Sequence, residues 1–229
     1  GIKNATSGGA GLLIKSDTHY QDNYSAGEAS SGEWGARTAG AFGNSLGVSM
    51  CTSAAAYEEN LGSSNQTVGN NPGNIRVDNG AAFQVGDIVA FSSVDASSDP
   101  NAFTHVAGDE GNEYEITGIS VNDLTIRLKD DANGKRGSVT IPDNSFVRRR
   151  WKYYDLFDSA PGTSPYATGK GVTNDEMHIV VFDSTGDISG FRADTAGERT
   201  NAVLETYAFL SQHQNAKSPQ GNANYYPDV

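Results

Sequence analysis

Apolar and polar positions alternate cleanly in only a few places along this chain, and those places predict its strands. From Ser45 to Ser53 the residues Leu46, Val48 and Met50 alternate with Gly47, Ser49 and Cys51, a period of two that puts one face on a core. Residues 81–91, AAFQVGDIVAF, read as a strand with Gly86-Asp87 near its start. Residues 112–128, NEYEITGISVNDLTIRL, read as two strands, Tyr114–Ile116 and Leu124–Leu128, folded at Asn122-Asp123. An Asn133-Gly134 turn and a further strand follow in 130–141. Short strands about every 10 residues with no helix between them predict a small closed or nearly closed antiparallel barrel over 82–147.

The flanks have another texture. Residues 1–31 are Gly, Ser, Asn and Thr around one apolar island, Leu12-Leu13-Ile14, a single strand among loops. Residues 60–81 carry nearly every turn-former and read as a linker over 61–81. Residues 177–190 are a strong strand followed by turns. The segment 201–217 satisfies two periods at once: Val203, Leu204, Tyr207 and Leu210 fit helical spacing, whereas Val203, Tyr207 and Phe209 fall on one side of a strand. The fold class expected is α+β, mostly antiparallel and β-rich.

A chain of 229 residues accommodates one large domain or two small ones, and two are expected. With 27 glycines and 36% hydrophobic residues the core is modest and much of the chain is turn and loop. The net charge of −12 repels a phosphate backbone, so nucleic acid is not an expected partner. The lone Cys51 rules out an internal disulfide and reads as a small buried apolar residue. No window approaches the ~18 apolar residues of a membrane span, and no charged-then-apolar leader opens the chain. A first residue Gly1 and an ending at Tyr225-Tyr226-Pro227-Asp228-Val229 lead us to expect a piece of something longer.

Candidate chemistry is sparse. ATGKGVT (167–173) echoes a phosphate loop, but Gly171 follows Lys170 where Ser or Thr is needed. DDANGKRG (130–137) lacks the alternating acids and terminal Glu of a calcium loop, and a hairpin turn explains it better. The histidines His19, His105, His178 and His213 are scattered without a cysteine partner. Asp109-Glu110 and Asp175-Glu176 are adjacent acids, yet 28 acids in such a chain produce pairs by accident on solvated loops. No catalytic, cofactor-binding or metal-binding residue is assigned, no cofactor is expected, and a non-enzyme is expected. The cluster Arg148, Arg149, Arg150 and Lys152, beside Trp151, Tyr153 and Tyr154, is expected to answer the protein's own acids or those of a neighbouring copy.

Several stretches together carry a resemblance: WGARTAGAFGNSLGVSMC (34–51), WKYYDLFDSAPGTSPYATGKGVTNDEMHIVVFD (151–183), TGDISG (185–190), VLETYAFLS (203–211) and NAKSPQGNANYYPDV (215–229). In this order they resemble the contractile tail sheath proteins of T4-like bacteriophages, over most of 12–57 and 151–229. The resemblance implies a discontinuous sheath domain, 1–60 with 148–229, carrying the barrel-like block 82–147 as an insertion, in a protein longer on both sides. It implies that Gly40 and Gly43 permit backbone angles closed to other residues in the turn before the first core strand, with Asn44 and Ser45 bonding the local main chain. It also tips 203–211 toward strand.

The function so implied is that of a structural subunit that polymerises around a tail tube and contracts to drive genome delivery. Its implied partners are other copies of itself, in six-membered rings in the full-length protein, and tail tube and baseplate proteins, with neither nucleic acid nor membrane. Its implied place is the virion tail, after assembly in the host cytoplasm. Neighbours in that family are understood to lend strands to adjacent sheets from arms absent here, so this chain alone is expected to be a soluble monomer. The alternative is a glycan-binding or adhesive module on a virion surface using exposed aromatics at Trp151, Tyr153 and Tyr154. A carboxylate-pair hydrolase built on Asp175 and Glu176 comes third.

Overall fold

A computed structural model describes residues 16, 18, 19, 22, 34, 36, 41–62, 73–129, 140–190 and 202–229. In chain order its strands are β1 (Leu46–Cys51), β2 (Glu58–Leu61), β3 (Asn74–Arg76), β4 (Ile88–Ser92), β5 (Tyr114–Ser120), β6 (Asp123–Leu128), β7 (Phe146–Arg150), β8 (Glu176–Asp183) and β9 (Ala202–Ser211). Two single-turn helices are α1 (Ala54–Tyr57) and α2 (Pro165–Thr168). The structure is mostly antiparallel sheet with little helix, as the patterning predicts. It divides into unit 1, Gly1–Cys51 with Thr163–Val229, and unit 2, Thr52–Gly162. These boundaries, at 51/52 and 162/163, give β2 and β7 to unit 2, whereas the sequence reading drew its lines after 60 and before 148.

Unit 1 holds a three-stranded antiparallel sheet in the order β1-β8-β9. Met50 lies opposite Ile179 and Val48 opposite Val181, so the alternation of β1 delivers both to one face. There Met177, Ile179 and Leu210 form a buried cluster, with Trp34, Val48, Met50, Tyr207 and Tyr226 packed against it. On the other face Cys51, fully buried, lies opposite His178, and Gly47 opposite Phe182. A Cβ at Gly47 would collide with Cζ of Phe182, so glycine is what lets that ring lie across β1.

The turn before β1 is a 3-10 turn, Ala41–Ser45. Gly43 has no left-handed φ there; its requirement is room, since a Cβ would stand 3.1 Å from the Ala36 Cβ. Gly40 lies outside the described residues, as does the island at 12–14. Ser45 bonds across the sheet end: its carbonyl accepts from the Ser184 backbone N–H, and its hydroxyl donates to Asp187 at 3.0 Å.

The ambiguous segment is strand β9, and its register explains the ambiguity. Pairing with β8 shifts between Met177 and Ile179 and again between Val181 and Phe182, so β9 carries extra residues at two bulges. Each insertion switches which side chains face inward, and the resulting spacing imitates a helix. At one of the shifts Phe209 adopts φ 54, and its N–H donates to His178 Nδ1 at 3.1 Å. That acceptor role needs a neutral imidazole, protonated on Nε2.

Unit 2 is a six-stranded antiparallel sheet in the order β2-β7-β4-β5-β6-β3. Among the described residues it does not close into the expected barrel. The terminal strands β2 and β3 are four and three residues long, and each pairs with a single neighbour, β7 and β6 respectively. Such short edges leave nothing to zip together, and they are the usual way to blunt a sheet margin. One face carries the main core, in which Ile75, Val89, Phe91, Ile116, Leu124 and Val147 are buried. Ile75 and Val77 come from the stretch read as a linker, and both are 1% exposed. Residues 73–81 are therefore part of the sheet and its core, while 63–72 lie outside the described residues.

The β5–β6 hairpin turns at Val121-Asn122, since Ser120 pairs with Asp123, one residue earlier than expected. Asn122 fastens the turn: its carbonyl accepts from Val77 N–H, its Oδ1 from Gly80 N–H, and its Nδ2 donates to the Asp78 carbonyl. A Cβ at Gly80 would collide with the Val121 carbonyl oxygen, so this close approach requires glycine. Val121 itself is 84% exposed and sits at φ 55, a left-handed conformation costly for a β-branched residue. Gly80→Ala is expected to destabilise unit 2 by about 2 kcal/mol or more. Val121→Gly is expected to stabilise it by about 1 kcal/mol. Urea unfolding of the two variants, followed by tryptophan fluorescence, checks both signs.

Candidate functional site: an arginine–carboxylate ladder

Strand alternation places a row of side chains on the face of the unit 2 sheet opposite its core. Glu58 of β2 pairs with Arg150 of β7, Arg150 with Ile88 of β4, Ile88 with Glu115 of β5, and Glu115 with Arg127 of β6. Arg150 Nε donates to Glu58 at 2.5 Å, and its Nη1 to Glu113. Arg127 grips the Glu115 Oε2 through Nη2 at 2.6 Å and Nε at 3.0 Å, and Lys152 reaches the other oxygen at 3.2 Å. Lys129 sits between Asp155 at 3.0 Å and Glu113 at 3.5 Å.

The two remaining arginines of the basic cluster are also engaged. Arg149 donates to Glu59 at 2.9 Å and to the Ala55 carbonyl at 3.1 Å. Arg148 donates to Asn60 at 2.9 Å, and its guanidinium lies 3.7 Å from the Phe103 ring centroid. All four cations singled out by sequence therefore meet this chain's own groups. The acids that receive them, Glu58, Glu59, Glu113 and Glu115, were not singled out. A signal existed in the acid-x-acid spacing of Glu113 and Glu115, which puts both on one face of a strand.

The electrostatics favour the charged forms of Glu115, Lys129 and Arg150. Burial pushes the Glu115 carboxyl up, but the Arg127 hydrogen bond and the charges of Lys152 and Arg127 bring it below the usual range. Burial likewise works against the Lys129 ammonium, and the hydrogen bond and charge of Asp155 outweigh it, so its pKa is raised. Two groups shift the other way: Asp87 is raised by burial against the Gln84 N–H and Arg149, and Arg148 is lowered by burial against the charge of Glu58. A carboxylate saturated by guanidinium donors is a poor proton carrier, and the ladder is suited to holding strands in register.

The neighbouring aromatics do not form the exposed set expected. Trp151 and Tyr153 are buried, at 7% and 6% exposure, and Trp151 stacks on Phe157 with centroids 5.6 Å apart. Tyr154 is half-buried and its hydroxyl donates to Glu113 at 2.6 Å. The expectation of three exposed aromatics fails because the 3-10 turn Tyr154–Leu156 brings Phe157 back onto Trp151, which also packs edge-on against Tyr153.

The other candidates have structural roles. Asp175 is buried and accepts from Ser164 N–H and hydroxyl at 2.8 and 2.7 Å and from the Ser211 hydroxyl, tying the start of α2 to the end of β9. Its neighbour Glu176 lies in β8. Asp183, fully buried at the other end of β8, accepts from Gly186, Ile188 and Ser189 N–H and from the Ser189 hydroxyl. Burial opposes its ionisation, and these bonds overcome that and lower its pKa to about 2. Asp109 is buried against Asn112 and Tyr114, while Glu110 is exposed and accepts from Gly108 N–H.

The phosphate-loop echo at 167–173 lies at the carboxyl end of α2, where the N–H groups of Gly169, Lys170 and Gly171 already bond to helix carbonyls; an anion cradle needs the amino end. The calcium-loop echo at 130–137 lies outside the described residues. Among the described residues no three of His, Cys, Asp and Glu are grouped to hold a metal ion, and no helix is long and apolar enough to cross a membrane. Compared with known proteins, the chain matches no family, no curated protein and no solved structure.

Arg150→Met is expected to lower unit 2 stability by about 2–4 kcal/mol, because Glu58 and Glu113 are left half-buried without their partner; equilibrium denaturation measures it. Asp183 titrates low in the folded chain, so it contributes stability that is complete above the ordinary carboxyl range and disappears as pH falls toward 2. Asp183→Asn is expected to lose that pH dependence, seen as a flatter acid-unfolding curve by near-ultraviolet circular dichroism.

Proposed function

We propose that this chain is the stiff, sheet-built part of a structural subunit that assembles with copies of itself, as in the contractile tail sheaths its sequence resembles. The observation that supports it most is the margin of the unit 1 sheet. Strand β9 is ten residues long and, among the described residues, pairs along its length with β8 alone, apart from a parallel bridge from Ser211 to Tyr225. A long edge of this kind accepts an added strand, with backbone bonds giving affinity and alternate side chains giving register. The unit 2 sheet, by contrast, ends in short strands, and its outward charges are neutralised within the unit. On this reading unit 1 offers the joint and unit 2 is passive.

In this role the chain makes and breaks no bond in a substrate; it is a load-bearing body whose place is a phage tail. Stiffness is the requirement, since a soft subunit would absorb the motion it has to pass on. The glycan-binding alternative loses its support with the burial of Trp151 and Tyr153.

The experiment is electron microscopy of the longer parent polypeptide. Striated tubes are expected, and Thr206→Pro, which removes a backbone donor from the exposed part of β9, is expected to abolish them. Particles without tubular order in the unsubstituted parent would refute the proposal. The present chain alone is expected to sediment as a monomer, its charge of −12 opposing self-association.

A further inference from the structure

Unit 2 is entered at Thr52 and left at Gly162, and the first and last strands met on that path, β2 and β7, are neighbours in its sheet. The incoming and outgoing chain thus run side by side, antiparallel, with Glu58 opposite Arg150, Glu59 opposite Arg149 and Asn60 opposite Arg148. Every one of these three facing pairs is also joined through side chains: Glu58 to Arg150, Glu59 to Arg149 and Asn60 to Arg148. The fourth pair, Leu61 opposite Val147, is different in kind, because both residues belong to the buried core.

More bonds cross the same stem before the core begins. Trp151 N–H donates to the Tyr57 carbonyl at 2.9 Å. The Tyr57 hydroxyl reaches the carbonyls of Tyr154 and Phe157 at 2.7 and 2.9 Å. Arg149 reaches back to the carbonyl of Ala55 in α1. Along β2 the stem is therefore held by polar contacts up to the Leu61–Val147 pair, whereas on its other side β7 pairs through Arg148–Arg150 with the buried Ile88–Ala90 of β4. Its acids are the more open partners: the Glu58 and Glu59 side chains are 34% and 43% exposed, against 21% and 16% for Arg150 and Arg149.

We propose that this stem is a clasp: α1 and β2 open and close together against β7, up to the Leu61–Val147 pair, while β7 stays paired with β4, and the Glu58 and Glu59 carboxylates set how often. The physical basis is that polar contacts at a solvent-facing margin exchange with water at low cost, while core strands open only with the whole unit. Opening separates the two chain passages into unit 2, so the clasp decides whether they behave as one stem or as two independent tethers. This follows from connectivity and bonding alone and holds whatever the chain assembles into.

Hydrogen–deuterium exchange on the full 229-residue chain tests it. In the double variant Glu58→Gln, Glu59→Gln, amides of 54–61 and the Trp151 amide, which bonds to the Tyr57 carbonyl, are expected to exchange about fivefold faster or more, with those of Ile116, Leu124 and Ile126 unchanged. Asp123→Asn, which breaks the exposed pair with Arg76 at the opposite edge, is expected to leave the stem unaffected. If the double variant does not fold, the same contrast is read on the unsubstituted chain by raising salt from about 0.1 M to about 1 M, which shortens the screening length from ~10 to ~3 Å. Stem amides that do not respond, an equal acceleration across the whole sheet, or an Asp123→Asn effect on the stem as large as that of the double variant would each overturn the clasp.

Discussion

A guanidinium taken out of water has to be given carboxylates in return, and unit 2 is arranged around that requirement. Three consecutive arginines on β7 cannot all point to one side of a strand. Arg148 and Arg150 go to the face opposite the core and Arg149 to the core's margin, so acids must wait on both sides. β2 supplies Glu58 and Glu59 in matching register, Glu113 stands just before β5, and β5 supplies Glu115. A guanidinium left unpaired at this depth would cost several kcal/mol, so the register of β2 against β7 is specified by charge as firmly as a core strand is by apolar pattern.

The same requirement accounts for the contrast between the two sheets. Unit 2 has covered both faces, one with apolar side chains and one with ion pairs and the aromatic turn at 151–157, and its edges are short. Unit 1 has buried carboxylates in a different use. Asp175 and Asp183 sit at opposite ends of β8 and collect N–H and O–H donors from the loops there. That arrangement pins the central strand from both ends and leaves the flank of β9 as its long margin. Each unit thus has its own source of rigidity, ion pairs across the sheet in unit 2 and buried carboxylates at the strand ends in unit 1.

Much of this was legible along the chain. Strict alternation in 46–51 and in 114–128 marked strands correctly because each has one apolar face and one polar one. The Arg148–Arg150 cluster was readable as a partner for the protein's own acids, since an acidic chain surrounds any cation with candidates. Less was legible where geometry intervenes. β9 defeats periodicity because two bulges shift its inward face partway along. Residues 74–77 read as linker because their turn-forming neighbours, Asn70 to Gly73 and Asp78 to Gly80, outnumber the two side chains, Ile75 and Val77, that reach the core. Trp151 and Tyr153 stood beside charges and read as exposed, yet the 3-10 turn after them brings Phe157 back onto Trp151.

Composition and local pattern alone determined that this chain is β-rich and acidic, with one buried thiol and few strong helix signals, because those properties depend on residue type and on neighbours within a turn or a pleat. Which acid meets which arginine, whether six strands close or stay open, and where one unit ends were decided by tertiary structure. These depend on strands far apart in sequence coming into register: Glu58 and Arg150 are 92 positions apart, and nothing local to either encodes the other.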